Sequence, residues 1–157
     1  MEAKLKIALV GAIAQGKTRV ANVLGGIATQ GVYDPTAGCR IIELERPLTV
    51  REPKTRREIQ IVASVELWDV SGDLQYENAW PACQKDVHGV IVVAEALQMQ
   101  LEQSAPEKQV DFWFQAFCGR AGLEAAQAFV MVLANDEVTN TATVLAAGKS
   151  KLGARVR

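Results

Sequence analysis

Short apolar runs separated by polar or glycine-rich segments dominate the pattern of this chain. Leu5–Val10 is a short apolar stretch that predicts a buried strand. Val90–Ala94 and Phe129–Leu133 are continuous apolar runs, as expected for parallel strands covered on both faces. From Ile59 to Trp68 apolar residues occupy every second position, and this period of two predicts a strand with one face in the core. Arg40–Glu45 is predicted as a further strand that forms an antiparallel hairpin with it, because only a loop separates the two.

Two stretches are predicted to be helical. Arg19–Leu24 can form a helix that stops at two glycines, and Glu107–Ala121 places large apolar residues at helical spacing, which predicts that they lie in the core. These residues are Val110, Trp113, Phe114 and Phe117. The order is strand, helix, two strands, irregular segment, strand, helix, strand. It predicts an α/β fold, a doubly wound and mostly parallel sheet with one antiparallel edge strand and helices on both faces.

Length and composition limit the possibilities further. With 157 residues the chain is expected to be a single domain over residues 1–157 with a sizeable core. Its net charge of −1 gives no general attraction to nucleic acid, so nucleic-acid binding is not expected. Cys39, Cys83 and Cys118 have no C-x-x-C spacing, which fits a reducing compartment better than a disulfide framework or a zinc site.

A membrane anchor is not expected for this chain. No apolar stretch is long enough to span a membrane, and no signal peptide is visible. Glu2 excludes N-myristoylation, and the C-terminal Arg155-Val156-Arg157 carries no prenylation motif.

Candidate chemistry begins directly after the first predicted strand. Residues 11–18 fit the phosphate-binding pattern G-x-x-x-x-G-K-[ST], and a strand and a helix flank them. Backbone N–H groups and the helix N-terminus can then face the phosphates. Lys17 is expected to reach the β- and γ-phosphate oxygens, and the Thr18 hydroxyl to ligate Mg²⁺. The predicted nucleotide site here consists of Gly11, Ala12, Ile13, Ala14, Gln15, Gly16, Lys17, Thr18 and Arg19.

Two further segments are predicted to complete the site. Asp69 leaves the end of a strand and Gly72 follows three positions later, so Asp69 can hold Mg²⁺ through water and the Gly72 N–H can meet the γ-phosphate. Thr36 lies in the loop after the first helix, where its hydroxyl could reach Mg²⁺. Loss of the γ-phosphate would release Thr36 and Gly72 together, which is the order–disorder switch of GTPases.

With these motifs the chain resembles a small GTPase of the Ras and Rab type, since GAIAQGKT, YDPT and WDVSGD occur in the order and spacing of that family. A second set of residues points to one family within the small GTPases: Pro35-Thr36, Gly38, Arg40-Ile41, Glu43, Glu45, Glu66-Leu67-Trp68-Asp69, Gly72-Asp73, Trp80-Pro81-Ala82, Lys85-Asp86 and His88-Gly89-Val90. In these residues the chain is similar to the family of Rab-like protein 5, also called intraflagellar transport protein 22.

The resemblance implies the P-loop NTPase fold of small GTPases, with GTP/GDP and Mg²⁺ as ligands. It also implies a subunit of the intraflagellar transport B complex, needed for cilium or flagellum assembly, that docks on coiled-coil subunits and is a monomer outside the complex. The implied location is the cytoplasm, the cilium or flagellum and its basal body.

Several residues depart from the pattern of small GTPases. Asp73 stands where the family carries its water-positioning glutamine, and its charge would face an anionic γ-phosphate. Ile13 and Ala14 stand where Ras-type proteins often carry glycines, and Ile13 would crowd an incoming arginine finger. Asp73 occupies the water-positioning place, but no residue is assigned a catalytic role. Hydrolysis is therefore expected to be slow or absent.

The base-reading segment is also altered. Small GTPases usually carry N-K-x-D after the fifth strand; here Asn135 matches, Asp136 replaces the lysine and Val138 replaces the aspartate. Asn135 and Asp136 are the predicted base contacts, with weaker discrimination between guanine and adenine. No final strand or helix is evident before Arg157, so both are expected to be missing from this chain.

Alternatives stay open at this point. The chain could be an active P-loop enzyme, either a GTPase switch in vesicle traffic or a phosphotransferase, although the only arginine-dense stretch, Arg46–Glu58, is predicted as a polar hairpin connection. It could also be a scaffold that no longer depends on nucleotide. Tyr76, Trp80 and Pro81 are expected to pack against a neighbouring helix, with a nucleotide-dependent contact patch as the alternative. His88 is expected to be a structural or surface residue rather than a metal ligand, because it lacks partners at metal-ligand spacing.

Overall fold

The structure, a computed structural model, describes residues 3–28, 34–52, 54–95, 106–133 and 142–146. Apolar runs form its strands, and the segments with helical spacing form its longer helices. The elements are β1 (Ala3–Val10), α1 (Lys17–Gly25), β2 (Cys39–Arg51), β3 (Glu58–Val70), a first 3₁₀ helix (Leu74–Ala79), α2 (Trp80–Gln84), β4 (Gly89–Glu95), α3 (Pro106–Phe114) continued by a π turn (Gln115–Gly119), a second 3₁₀ helix (Ala125–Gln127), β5 (Ala128–Leu133) and β6 (Ala142–Ala146).

In the described part of the chain, six strands form one sheet in the order β2-β3-β1-β4-β5-β6. β1 is parallel to β3 and β4, β4 is parallel to β5, and β2 is antiparallel to β3. The predicted mostly parallel sheet with an antiparallel edge at β2 is confirmed. Because the parallel strands point the same way, the loops that follow β1, β3, β4 and β5 gather at one edge of the sheet.

The structure adds a strand that the sequence pattern does not predict. β6 lies antiparallel to β5, with Ala142 opposite Leu133 and Ala146 opposite Phe129. Its sequence ATVLA is neither a continuous apolar run nor an alternation of apolar and polar residues, and the pairing with β5 supplies the hydrogen-bond partners. The sheet therefore has a second antiparallel edge.

The hairpin of β2 and β3 is longer than predicted. The predicted polar connection over Arg46–Glu58 is wrong, because β2 continues to Arg51 and β3 begins at the far end of that segment. The apolar side chains of this extension face each other in pairs such as Leu48 and Ile61. Pro47 is tolerated because β2 is an edge strand, whose outer backbone needs no partner.

Helices cover both faces of the sheet, as predicted. One face packs on α1. The buried residues between them come from the sheet and from α1, and they are Leu9, Val20, Ala21, Ile42, Leu67 and Val93. The other face packs on α2, α3 and the π turn. Of the four residues predicted in the core on the second helix, Val110, Trp113 and Phe117 are buried and Phe114 is partly buried. The amphipathic pattern of this helix therefore predicted its inward face correctly.

The segment after Gly72, predicted to be irregular, is helical. It forms the first 3₁₀ helix and then α2, where Pro81 occupies a first-turn position that needs no N–H donor. Trp80 is only 1% exposed, and its ring centroid lies 5.1 Å from that of Trp113 and 5.3 Å from that of Phe117. Trp80 thus packs this segment against α3, as the structural interpretation predicts.

His88 has a structural role. Its imidazole Nδ1 accepts a hydrogen bond of 3.0 Å from the backbone N–H of Lys6, and the backbone N–H of His88 donates to the carbonyl of Lys6 at 2.9 Å. These bonds fix the start of β4 beside β1. Cys39, Cys83 and Cys118 are free thiols. None of the described helices combines the length and the apolar character needed to cross a membrane.

Candidate phosphate and magnesium site

The loop between β1 and α1 is held in shape by its first glycine. Gly11 has φ +147°, and a Cβ there would lie 2.2 Å from the carbonyl oxygen of Val93 in β4. Only glycine allows this approach of the loop to the neighbouring strand. Gln15, 3% exposed, ties the far side of the loop to the end of β4, because its Oε1 accepts from the N–H of Glu95.

A cavity of about 440 Å³ opens in front of this loop. That volume is within the range of small-molecule sites. Its lining residues are Ile13, Ala14, Gln15, Gly16, Lys17, Thr18, Arg19, Pro35, Thr36, Ser71, Gly72, Asp73, Gln75 and Tyr76. Three segments that are distant in sequence, around Thr18, Thr36 and Gly72, thus meet at one opening. Gly11 and Ala12 form the start of the loop behind it.

Lys17, the first residue of α1, is directed back into the loop. Its Nζ donates a hydrogen bond of 2.7 Å to the carbonyl of Ala12, and the residue is only 6% exposed. Burial lowers the pKa of Lys17 from 10.5 to about 8, although the nearby Asp69 carboxylate acts in the opposite direction. This ammonium group has lost much of its hydration, so an anion in the cavity would be a strong partner for it.

Oxygen atoms from three elements converge on Asp69. The Thr18 hydroxyl donates to Oδ2 of Asp69 at 2.9 Å, and the Thr36 hydroxyl lies 3.0 Å from that of Thr18 and 3.4 Å from the same Oδ2. Asp69 is completely buried, and its Oδ1 has no hydrogen-bond partner among the described residues. Two hydroxyls and a carboxylate with an unsatisfied buried oxygen are the ligand chemistry of Mg²⁺, directly or through water.

Gly72 touches the phosphate loop itself. A Cβ on Gly72 would lie 2.5 Å from the carbonyl carbon of Ala12 and 2.5 Å from the nitrogen of Ile13. The loop after β3 therefore lies directly against the loop after β1. The neighbouring Ser71 donates its N–H to the carbonyl of Gly38 at 2.8 Å, which links this loop to the segment that carries Thr36.

Asp73 is occupied as a helix cap. Its Oδ1 accepts from the N–H of Gln75 at 3.0 Å and its Oδ2 from Nε2 of Gln75 at 2.5 Å, so both carboxylate oxygens are directed to the start of the first 3₁₀ helix. The sequence contained this signal, because Asp is a favoured N-cap residue that bonds backbone two positions onward.

The unusual side chains of the phosphate loop are both at its outer surface. Ala14 adopts φ 60°, a left-handed conformation that residues other than glycine rarely take, and Ile13 is 52% exposed at the edge of the cavity. Ile13 therefore lies at the open edge of the cavity, and its effect on an approaching arginine finger stays a prediction. The predicted base contacts Asn135 and Asp136 lie outside the described residues.

Sequence reasoning missed Arg40 at this site. Arg40 lies directly opposite Asp69 in the β2–β3 pairing, and its Nη2 is 3.4 Å from Oδ2 of Asp69. The same Nη2 donates to Oδ1 of Asn22 on α1 at 2.6 Å. The register of an antiparallel hairpin would have revealed the pair, but the sequence alone does not fix that register.

Residues 6–137 match the family model described as Ras of Complex, Roc, domain of DAPkinase. The chain belongs to this family of Ras-like GTPase domains. The small-GTPase fold expected from the sequence is confirmed.

Curated relatives are intraflagellar transport proteins. The intraflagellar transport protein 22 homolog of Homo sapiens is 35% identical over 129 residues, which cover 82% of this chain and 64% of that protein. Intraflagellar transport protein 22 of Chlamydomonas reinhardtii is 31% identical over 134 residues, covering 82% of this chain and 61% of that protein. This Roc-family chain therefore spans less than two thirds of the length of either relative, and its predicted resemblance to intraflagellar transport protein 22 is confirmed.

Solved structures agree on the fold. The T. brucei IFT22 GTP-bound crystal structure matches with a TM-score of 0.52 and 25% identity, over 80% of this chain and 60% of that chain. The T. brucei IFT22/74/81 GTP-bound crystal structure matches with a TM-score of 0.58 and 24% identity, over 81% of this chain and 64% of that chain.

Proposed function

We propose that this Roc-family chain is a GTP/GDP- and Mg²⁺-binding subunit of the intraflagellar transport B complex that works in cilium or flagellum assembly. The observation that carries the proposal is the convergence of Thr18, Thr36 and Asp69 beside the loop that holds Lys17. Likeness to intraflagellar transport protein 22, for which GTP-bound crystal structures exist, supports the choice of nucleotide.

Each group of the site has a defined part in this proposal. Backbone N–H groups of residues 11–16 and the Lys17 ammonium hold the phosphates, while the Thr18 and Thr36 hydroxyls ligate Mg²⁺ and Asp69 holds it through water. Bound Mg²⁺ would offset the negative charge of the β- and γ-phosphates. Asn135 and Asp136 contact the base, and Arg19 borders the phosphate loop.

The proposed partners are coiled-coil subunits of the same complex. A T. brucei structure contains IFT22 together with components named 74 and 81, which supports association of this chain with their counterparts. Thr36 and Gly72 lie on separate loops that both border the cavity. A nucleotide that contacts both loops would change the surface available to a partner, so docking depends on the nucleotide state. Outside the complex the chain is a monomer.

Nucleotide content tests the first half of the proposal. Protein purified without added nucleotide is denatured, and the released small molecules are separated by ion-exchange chromatography. We expect guanine nucleotide at close to one molecule per chain, and adenine nucleotide or none would contradict the proposal. Competition of GTP against ATP for a fluorescent guanine nucleotide then measures how far the altered base segment has relaxed the preference for guanine.

Docking is tested with one substitution and its matched control. Thr18→Asn removes a hydroxyl that borders the cavity, while Thr49→Asn makes the same change on an exposed position of β2. We expect Thr18→Asn to lose binding to the counterparts of the 74 and 81 components in a pull-down at micromolar protein, and Thr49→Asn to keep it. Unchanged docking of a nucleotide-free Thr18→Asn protein would favour a scaffold that does not depend on nucleotide.

Hydrolysis is expected to be slow because Asp73 is engaged with Gln75 and no glutamine stands in its place. Single-turnover measurements with GTP should give a rate on the order of 10⁻⁴ s⁻¹ or below, the level of an unstimulated Ras-type protein. Asp73→Ala should change this rate by less than about threefold and lower stability by about 1 kcal/mol through loss of the cap.

Asp73→Asn provides the control, since an amide oxygen can still cap the 3₁₀ helix. We expect it to keep both the stability and the rate of the unmodified chain. A tenfold or larger fall in hydrolysis for Asp73→Ala, with stability restored by ligand, would contradict a purely structural role.

A further inference from the structure

A permanent cation lies on the buried carboxylate of the proposed magnesium site. The guanidinium of Arg40 is 3.4 Å from Oδ2 of Asp69, and the Arg40 side chain is 38% exposed whereas that of Asp69 is 0% exposed. A hydrogen bond of 2.6 Å to Asn22 holds the same nitrogen from the side of α1. Arg40 is therefore fixed between β3 and α1 with its charge directed at Asp69.

A single carboxylate oxygen of Asp69, Oδ2, consequently contacts several partners. Its Oδ2 contacts the hydroxyls of Thr18 and Thr36 and the guanidinium of Arg40, while Oδ1 has no hydrogen-bond partner among the described residues. The two hydroxyls keep lone pairs for a metal ion when they donate to Asp69. The guanidinium has no lone pair to offer, and it stays charged at every accessible pH.

We infer that Arg40 is a positioning residue that competes with Mg²⁺ for Asp69 and thereby weakens the hold of the site on Mg²⁺-nucleotide. This inference rests on the proposed function. A second cation close to a buried carboxylate reduces the negative potential that attracts Mg²⁺, and charges beside the fully buried Asp69 are screened less by solvent than exposed charges are. The nucleotide, whose phosphates share the Mg²⁺, then leaves more readily.

Removal of Arg40 should also destabilise the metal-free protein, which again favours the Mg²⁺-bound state. Without the guanidinium, the buried Asp69 carboxylate has no charged partner, and an uncompensated buried charge destabilises the folded chain. Mg²⁺ would supply the missing positive charge. The variant is therefore expected to depend on Mg²⁺-nucleotide for its thermal stability more strongly than the unmodified protein does.

The test measures release of a fluorescent GDP analogue from the full chain across a titration of free Mg²⁺ buffered with EDTA. For Arg40→Gln we expect the Mg²⁺ concentration at half-maximal retention to fall by about tenfold. Arg40→Lys keeps a charge at this position and should stay within about threefold of the unmodified chain. Arg51→Gln, the same substitution further along β2, should leave the titration unchanged.

Thermal melting provides a second readout that does not depend on release kinetics. The difference in Tm between Mg²⁺-GDP and EDTA should be larger for Arg40→Gln than for Arg51→Gln. If Arg40→Gln does not fold, Arg40→Met carries the test, because it also removes the charge while keeping the aliphatic part of the side chain, and it should shift the Mg²⁺ titration in the same direction. An unchanged or higher Mg²⁺ requirement in the variant that is measured overturns the inference.

The same titration distinguishes failure of the proposed function from failure of the role of Arg40. If the unmodified chain retains no guanine nucleotide at any Mg²⁺ concentration, the proposed function and the role of Arg40 are both wrong. If it retains nucleotide in a Mg²⁺-dependent way and Arg40→Gln has the same half-point, the proposed function stands and only the competition between Arg40 and Mg²⁺ is wrong.

Discussion

Lys17→Met is expected to lower the affinity for GTP and GDP by about 100-fold or more, because charge-assisted hydrogen bonds to phosphate oxygens are lost. Lys17 is the cationic side chain that points into the phosphate loop, with its Nζ 2.7 Å from the carbonyl of Ala12. Methionine preserves most of the shape of the side chain and removes only its charge and donors. The measurement is isothermal titration calorimetry with each nucleotide at saturating Mg²⁺.

The same substitution should not destabilise the nucleotide-free protein. Burial lowers the pKa of Lys17 to about 8, so the folded chain holds the charged form less favourably than water does. Replacement of such a desolvated charge by an apolar side chain is often neutral or stabilising. We therefore expect the Tm in EDTA to stay the same or rise, while the additional Tm gained with Mg²⁺-GTP disappears.

Lys4→Met is the matched control. It removes the same charge from an exposed position on β1, outside the residues that line the cavity. Its nucleotide affinity should equal that of the unmodified chain. Retention of tight binding by Lys17→Met would contradict the assignment of this loop to the phosphates, and a large fall of its Tm in EDTA would contradict the argument from burial.

Gly72→Ala is expected to destabilise the protein by about 3 kcal/mol or more, since its Cβ would overlap backbone that cannot move aside. That Cβ would lie 2.5 Å from the carbonyl carbon of Ala12 and 2.6 Å from the carbonyl oxygen of Gly11. Relief requires the loop after β3 to separate from the phosphate loop. For a chain of this size the Tm should fall by roughly 10 °C, and GTP binding should weaken more than GDP binding because Gly72 is proposed to meet the γ-phosphate.

Gly38→Ala separates the effect of contact from that of backbone strain. Gly38 has φ +69°, and a Cβ there would have no atom within 4 Å. Its substitution should cost only about 1 kcal/mol, from the left-handed conformation. Differential scanning calorimetry compares the loss of Tm in the two variants. Equal losses would mean that the close packing of Gly72 on the phosphate loop does not contribute to the stability of the fold.

Local patterns were sufficient where an element depends on its own residues. The phosphate loop was predicted from its glycines, Lys17 and Thr18, because a strand, a turn that only glycine can make and a helix start are all encoded within neighbouring residues. The core face of α3 was predicted because helical spacing alone brings Trp113 and Phe117 to one side. The structural roles of Trp80 and His88 followed from the same kind of local argument.

The sequence by itself therefore determined the order of the elements, the faces that they bury and the motif that marks the site. Only the tertiary structure decided the length of the β2–β3 hairpin, the added strand β6 and the position of Arg40 on Asp69. The physical reason is the separation along the chain of the residues that interact. Periodicity reports how a segment meets its own surroundings, whereas strand register and the contacts across it depend on residues far apart in the chain.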